Sequence, residues 1–158
     1  MAELTFKPYE AEDAPELLAL FYEMADYEHI LDQLRATKED LDRWILDEKM
    51  LRMRLIREDG VTIGYVCWYY NFSSFLCKPG LYLEDVYIRP AYRGKGYGKA
   101  VLKMLAQTAV EQGCERFEWV CMDWNEPSLR FYEKLGAKQP GCVLLRLDGE
   151  GLKEFAKA

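Results

Sequence analysis

The sequence predicts an α/β (α+β) protein, with a mixed, mostly antiparallel twisted sheet of about six to seven strands and helices on both faces. Strand-like segments in the first half follow one another through a tight turn, as in hairpins. Strand-like segments in the second half alternate with amphipathic helices. No repeat, low-complexity segment or linker interrupts the chain, so we expect one domain over residues 1–158.

The first half begins with a strand, "LTFKPY", and a helix, "EDAPELLALFYEMADYEH". Asp13 and Pro15 form a helix-start signature, and apolar residues then recur every three or four positions. A shorter helix, "TKEDLDRWILDE", is capped by Thr37 and is predicted to bury a stripe of Leu41, Trp44 and Ile45. Two strands, "MLRMRLIRE" and "VTIGYVCWYY", then flank a hairpin turn at Glu58–Gly60.

The second half starts with the strand "LYLEDVYIR", which stops at Pro90. The helix "GKAVLKMLAQTAVEQG" follows and ends at Gly113. "RFEWVCM" is predicted as a strand and "PSLRFYEKLG" as a helix with Pro127 in its first turn. "VLLRL" is predicted as the last strand.

Composition narrows the class of protein. Half of the residues are apolar and 30% are charged, which is typical of a soluble globular chain. The N-terminus lacks the features of a signal peptide and no apolar run could span a bilayer, so we expect a cytoplasmic protein with no membrane partner. The five cysteines show no C-x-x-C spacing and are expected to be reduced. His29 is the only histidine, so no metal site is expected.

Charge is distributed unevenly along the chain. Residues 86–110 contain five basic and no acidic side chains, whereas residues 23–48 contain nine acidic side chains against three basic ones. The first stretch favours an anion and the second a cation, although both could be ordinary solvated surfaces. A net charge of -6 argues against nucleic acid as a partner.

The segment "AYRGKGYGK" places glycines and basic residues between a strand and the start of a helix. Unpaired N–H groups at a helix start, approached closely through glycine, bind phosphates. Neither a Walker A loop nor a G-x-G-x-x-G dinucleotide fingerprint fits the spacing, which also removes a nucleotide-dependent oxidoreductase from consideration. R-x-x-G-x-G does fit, with Arg93, Gly96 and Gly98.

This motif, followed by "WNEPSLRFYEKLGA", resembles the GNAT superfamily of N-acetyltransferases. The run from "LYLEDVYIRPAYRGKGYGK" onward, with "ADYEH" near the N-terminus, is similar to the diamine (spermidine/spermine) and thialysine acetyltransferases. The resemblance implies acetyl-CoA as the co-substrate, a small-molecule amine as the acceptor, direct attack in a ternary complex, and a homodimer.

The resemblance also implies roles for individual residues. Glu84 is the candidate base, and Tyr132 is the candidate acid that protonates the leaving thiolate. The coenzyme-binding residues are Val86, Tyr87, Ile88, Arg93, Gly94, Lys95, Gly96, Tyr97, Gly98, Lys99, Asn125, Ser128 and Lys134. The acceptor-binding residues are Tyr27, Glu28, Glu84, Asp85, Glu118 and Trp119. Because side chains alternate along a strand, we expect Glu84 and Asp85 to lie on opposite faces and not to share one task.

The acceptor stays open at this point. Where the polyamine enzymes carry Asp and Trp before "LYLED", this chain has Ser74 and Leu76, which weakens the case for a polyamine and makes a lysine analogue or diamine as plausible. An aminoglycoside or a protein N-terminus would also fit the family. A different class, an acyl-CoA sensor without turnover, is disfavoured because a binder needs neither Glu84 nor Tyr132.

Overall fold

A computed structural model describes all 158 residues, Met1–Ala158. The strands are β1 (Leu4–Pro8), β2 (Arg52–Glu58), β3 (Val61–Ser73), β4 (Lys78–Ile88) and β5 (Arg116–Glu118). The helices are α1 (Ala14–Tyr27), α2 (Lys38–Leu41), α3 (Tyr97–Glu111), α4 (Glu126–Lys134) and α5 (Gly149–Lys157). No helix is both long enough and apolar enough to cross a bilayer.

The chain divides into two compact units, Met1–Trp119 and Val120–Ala158. The first unit contains all five strands with α1, α2 and α3, and the second contains α4 and α5. The five strands lie in sequence order in one sheet. All neighbours are antiparallel except β4 and β5, which run parallel, so the predicted mixed sheet is confirmed.

The sheet has fewer strands than predicted. β5 ends at Glu118 rather than continuing to Met122, and the segment "VLLRL" forms no strand. The apolar side chains of this segment, at Val143, Leu144, Leu145 and Leu147, are more than half exposed. A strand exists only when a neighbour accepts its backbone hydrogen bonds, and an apolar run cannot show whether that neighbour is available.

Helix α1 covers one face of the sheet. Leu17 and Leu20 of α1 pack with Leu55, Tyr65 and other buried residues in one core cluster. The predicted helix start is confirmed, and Asp13 there accepts hydrogen bonds from Lys7 Nζ and the N–H of Glu10. The α1 face of the first unit is therefore closed by apolar packing along most of the helix.

Helix α3 packs against β4 and β5. Its buried residues recur at helical spacing and are Val101, Leu102, Leu105 and Ala109. Leu81 and Leu83 of β4 are also buried, and they point away from the α1 face because they alternate with Tyr82. Helices thus lie on both faces, as the sequence predicted.

Trp44 does not join the predicted buried stripe. Thr37 caps α2 and Leu41 and Ile45 are buried as expected, but Trp44 is 38% exposed. The backbone from Asp42 to Asp47 winds as a π-helix, with the N–H of Glu48 donating to the carbonyl of Arg43. This wider winding changes the angle between successive side chains, so the 3.6-residue period no longer predicts which face Trp44 occupies.

Candidate active site

The edge of β4 facing β5 is paired over only a short length. β5 pairs with Gly80–Tyr82, and the pairing ends there. The N–H of Arg89 donates to the carbonyl of Ile63, and hydrogen-bonded positions alternate along an antiparallel pair. Tyr87 and Asp85 therefore direct their backbone groups to β3, whereas Val86 and Ile88 direct theirs to the opposite edge. Such an edge can accept an extended amide-containing ligand.

Arg93 already contacts this edge. Its Nε donates to the carbonyl oxygen of Ile88 at 2.7 Å. The same guanidinium lies over the ring of Tyr27 at 4.9 Å and over that of Tyr87 at 5.6 Å. Arg93 thus connects the β4 edge to the C-terminal end of α1, a contact that the motif R-x-x-G-x-G does not reveal.

The basic glycine loop has the predicted helix-start geometry. Gly94 and Gly96 adopt positive φ angles of 78° and 83°, which glycine tolerates without strain. α3 begins at Tyr97, and the residue before it is Gly96, which has no side chain. No side-chain cap therefore binds the first N–H groups of the helix. Gly98 has open space where a side chain would project. The loop is therefore shaped to receive an anion.

Glu58 at the end of β2 offsets part of this positive charge. Its carboxylate accepts hydrogen bonds from Lys95 Nζ at 2.9 Å and from the Tyr97 hydroxyl. These bonds, with that from Tyr97 the stronger cause, lower the pKa of the Glu58 carboxyl. Lys99 is exposed and makes no ion pair, so of the two loop lysines it is Lys99 that remains available. Sequence reasoning missed Glu58 because it lies far away along the chain.

The prediction that Glu84 and Asp85 lie on opposite faces assumed regular alternation along β4, and the strand departs from that alternation at these two residues. Cys67 pairs with Asp85 but Trp68 pairs with Leu83, so Glu84 is the extra residue of a β-bulge. A bulge interrupts the alternation of side chains. Burial is the main cause of the raised pKa of Asp85, Tyr69 and Tyr82, and the charge of Glu84 contributes to all three. The two carboxylates therefore form one electrostatic unit.

Asp85 lines a cavity of about 260 Å³ with Glu28. The other lining residues are mostly apolar: Phe21, Met24, Ala25, Ile30, Gln33, Leu34 and Tyr65. Burial, followed by the charges of Glu84 and Glu28, raises the pKa of Asp85 from 3.8 to about 6. A carboxylate with this pKa in an apolar cavity can accept a proton near neutral pH. The family resemblance predicted Glu28 and Asp85 as acceptor-binding residues, and both line this cavity, whose other residues it did not predict.

Of the remaining residues of the first unit that were predicted to bind the acceptor, Tyr27 is exposed, and Glu118 and Trp119 are partly buried. Tyr27 is 64% exposed at the end of α1. Glu118 pairs in register with Tyr82, and the rings of Tyr82 and Tyr69 lie 5.0 Å apart. Trp119 follows β5, with its ring 4.9 Å from that of Phe117.

The second unit contains the other predicted residues. Asn125 caps α4, its Oδ1 accepting a hydrogen bond from the N–H of Ser128. Tyr132 lies one turn further along α4, and Lys134 is its exposed last residue. Burial, with a smaller contribution from Cys121, raises the pKa of the Tyr132 phenol, so Tyr132 retains its proton at neutral pH. The assignment of these residues to coenzyme binding and acid catalysis stays a prediction.

Comparison with known proteins agrees with the resemblance inferred from the motifs. Thialysine N-epsilon-acetyltransferase from Sus scrofa is 29% identical over an alignment 169 positions long, which covers 99% of each chain. L-ornithine N5-acetyltransferase NATA1 from Arabidopsis thaliana is 42% identical over 120 residues, which cover 75% of this chain and 50% of that protein. The integron cassette protein VCH_CASS6 from V. cholerae shares the fold, with a TM-score of 0.82 at 23% identity over 98% of each chain. Residues 11–137 match the Acetyltransferase (GNAT) family, and the chain belongs to that family.

Proposed function

We propose that this chain transfers the acetyl group of acetyl-CoA to a primary amine of a small cationic substrate, by direct attack in a ternary complex. The observation that carries the proposal is the β4 edge. The edge is unpaired by β5 beyond Tyr82, it bears the bulge of Glu84 and Asp85, and it leads to the glycine loop before α3. The names of the relatives, a thialysine and an ornithine acetyltransferase, support a small amine as the acceptor.

The residues fit acetyl-CoA as a substrate. The uncapped start of α3, the glycines and Lys99 supply amides and charge for the pyrophosphate. The outward N–H and carbonyl groups of Val86 and Ile88 supply partners for the pantetheine amides, once Arg93 releases the Ile88 carbonyl. An N–H at Val86 also suits the negative charge that develops on the thioester oxygen.

The amine must lose a proton before it can attack. An alkylammonium with a pKa near 10.4 costs roughly 5 kcal/mol to deprotonate at pH 7. In the proposed reaction the ammonium proton goes to the Glu84–Asp85 unit, with Asp85 as the acceptor inside the cavity. The freed nitrogen attacks the thioester carbonyl, the C–S bond breaks, and Tyr132 protonates the departing thiolate.

The test is a thiol-release assay with acetyl-CoA and a panel of amines: ornithine, lysine, thialysine, spermidine, an aminoglycoside and a peptide N-terminus. We expect turnover of the small amines and little or none of the last two. The absence of turnover of every amine by folded protein, with coenzyme A still bound in calorimetry, would contradict the proposal and favour an acyl-CoA sensor.

Tyr132→Phe is expected to lower kcat by about 10²-fold, at the low end for general acids because a thiolate is a fair leaving group. Coenzyme affinity, measured by calorimetry, should not change. Tyr22→Phe, which removes an exposed hydroxyl from α1, is the matched control. A Tyr132→Phe variant with the kcat of the native protein would show that another group protonates the thiolate.

The domain organisation and assembly are also proposals. The match to the family over residues 11–137 crosses the boundary between Trp119 and Val120, which supports one catalytic domain over 1–158.

The exposed apolar segment Val143–Leu147 gives the second unit a surface suited to association of two copies. Light scattering coupled to size exclusion would measure the mass in solution, and we expect a dimer.

A further inference from the structure

A second cavity, of about 160 Å³, lies at the end of the β3–β4 hairpin next to β5. Its lining residues are Asn71, Phe72, Ser73, Leu76, Lys78, Pro79, Gly80, Arg116 and Glu118. The lining includes two cations, Lys78 and Arg116, and one anion, Glu118. None of these three makes an ion pair. The cavity therefore offers charges of both signs to a ligand.

This cavity lies on the same face of the sheet as the Asp85 cavity. Asn71, Gly80 and Arg116 are in register across three strands, and residues directly opposite one another share a face. A side chain at Gly80 would collide with the Asn71 amide oxygen, which shows that Asn71 projects on that side. Tyr65 belongs to the same face, because it precedes Asn71 by an even number of residues on β3.

The spacing between the charges is short enough for one small molecule. Glu118 lies opposite Tyr82, and Glu84 is two residues further along β4. At a rise of 3.3 Å per residue, this is about 6–7 Å along the strand. That distance is comparable to the separation of the two amino groups in an amino acid the size of ornithine or lysine.

We propose that the second cavity binds the head group of an amino-acid acceptor. Lys78 and Arg116 donate to the α-carboxylate, and Glu118 accepts from the α-ammonium. The side-chain amine then extends along the sheet to Glu84 and Asp85. The inference rests on the proposed function and deepens it, because it names the acceptor as a free α-amino acid with a terminal amine. A diamine or polyamine lacks the carboxylate that Lys78 and Arg116 would bind, so it should bind less tightly than an amino acid of the same length.

The test compares ornithine with putrescine, which is the same molecule without the α-carboxylate. The native protein should give the higher kcat/KM for ornithine. In Lys78→Gln and Arg116→Gln, the KM for ornithine should rise by about 10- to 100-fold, the loss expected for one charge-assisted hydrogen bond. The KM for putrescine should stay unchanged or fall. Lys103→Gln, an exposed lysine of α3 without an ion pair, is the matched control for charge.

A second pair tests Glu118. Ornithine and 5-aminopentanoate differ only in the α-amine. Glu118→Gln should therefore weaken the binding of ornithine and leave the binding of 5-aminopentanoate unchanged. Equal effects of these substitutions on both members of each pair would overturn the inference while leaving the acetyltransferase proposal standing. Calorimetric binding of ornithine and putrescine, which needs no turnover, decides the head-group question even if no amine is acetylated.

Discussion

Replacing Asp85 by asparagine is expected to lower kcat for amine acetylation by about 10²- to 10⁴-fold, the usual contribution of a general base. The substitution keeps the shape of the side chain and removes only its ability to accept the ammonium proton. Coenzyme affinity should not change, because Asp85 directs its backbone to β3 rather than to the open edge. Steady-state kinetics and calorimetry measure the two quantities.

The same variant should be more stable than the native protein. The pKa of Asp85 is raised from 3.8 to about 6 in the folded protein. Above pH 6 the carboxylate is charged in both states, and its charge destabilises the folded state relative to the unfolded one. Asp85→Asn removes this cost at pH 7, which amounts to as much as about 3 kcal/mol. Gained stability with lost activity would exclude misfolding as the cause of the loss.

The pH profile separates the roles of the two bulge carboxylates. Only the ionised form of Asp85 accepts a proton, so kcat/KM should fall as the pH drops through about 6. Glu84 is one cause of the raised pKa, so Glu84→Gln should lower the pKa of Asp85 and move this acidic limb to lower pH. Glu111→Gln, at the exposed end of α3, should leave the limb in place. If Glu84→Gln abolishes turnover and Asp85→Asn does not, Glu84 is the base.

Gly64→Ala is expected to destabilise the fold by about 3 kcal/mol or more. A Cβ at Gly64 would overlap the carbonyl oxygen of Tyr87 and lie 3.0 Å from its carbonyl carbon and 3.1 Å from the Cα of Ile88. These are backbone atoms of β4, so relief requires β3 and β4 to separate. Urea denaturation measures the loss in free energy of unfolding.

Gly98→Ala is the matched glycine substitution. Gly98 lies in the first turn of α3, and nothing lies within 4 Å of an added Cβ. The free energy of unfolding of the variant should therefore equal that of the native protein or exceed it by up to about 1 kcal/mol. Comparable destabilisation of both variants would mean that the contact at Gly64 is not the cause. The contrast distinguishes a glycine required for packing from one that leaves space for a ligand.

Much of the architecture could be predicted from local patterns. The helix start at Asp13, the Asp59–Gly60 turn and the buried face of α3 each depend on residues close in sequence. The glycine loop belongs to this group, since R-x-x-G-x-G and the following helix are contiguous. Local patterns failed for "VLLRL" and for Trp44, where a missing strand neighbour and a π-helical turn decided the outcome.

The family, the order of most elements and the residue types of the candidate site follow from local patterns, because periodicity and motif spacing depend on residues that are close along the chain. Three features became visible only in the folded chain: the bulge at Glu84 and Asp85, the ion pair by which Glu58 offsets the charge of Lys95, and the cavity that Lys78, Arg116 and Glu118 line together. These relations depend on strand register and on one extra residue in a bulge. A shift of one residue in pairing reverses which face a side chain occupies, and no local pattern records that shift.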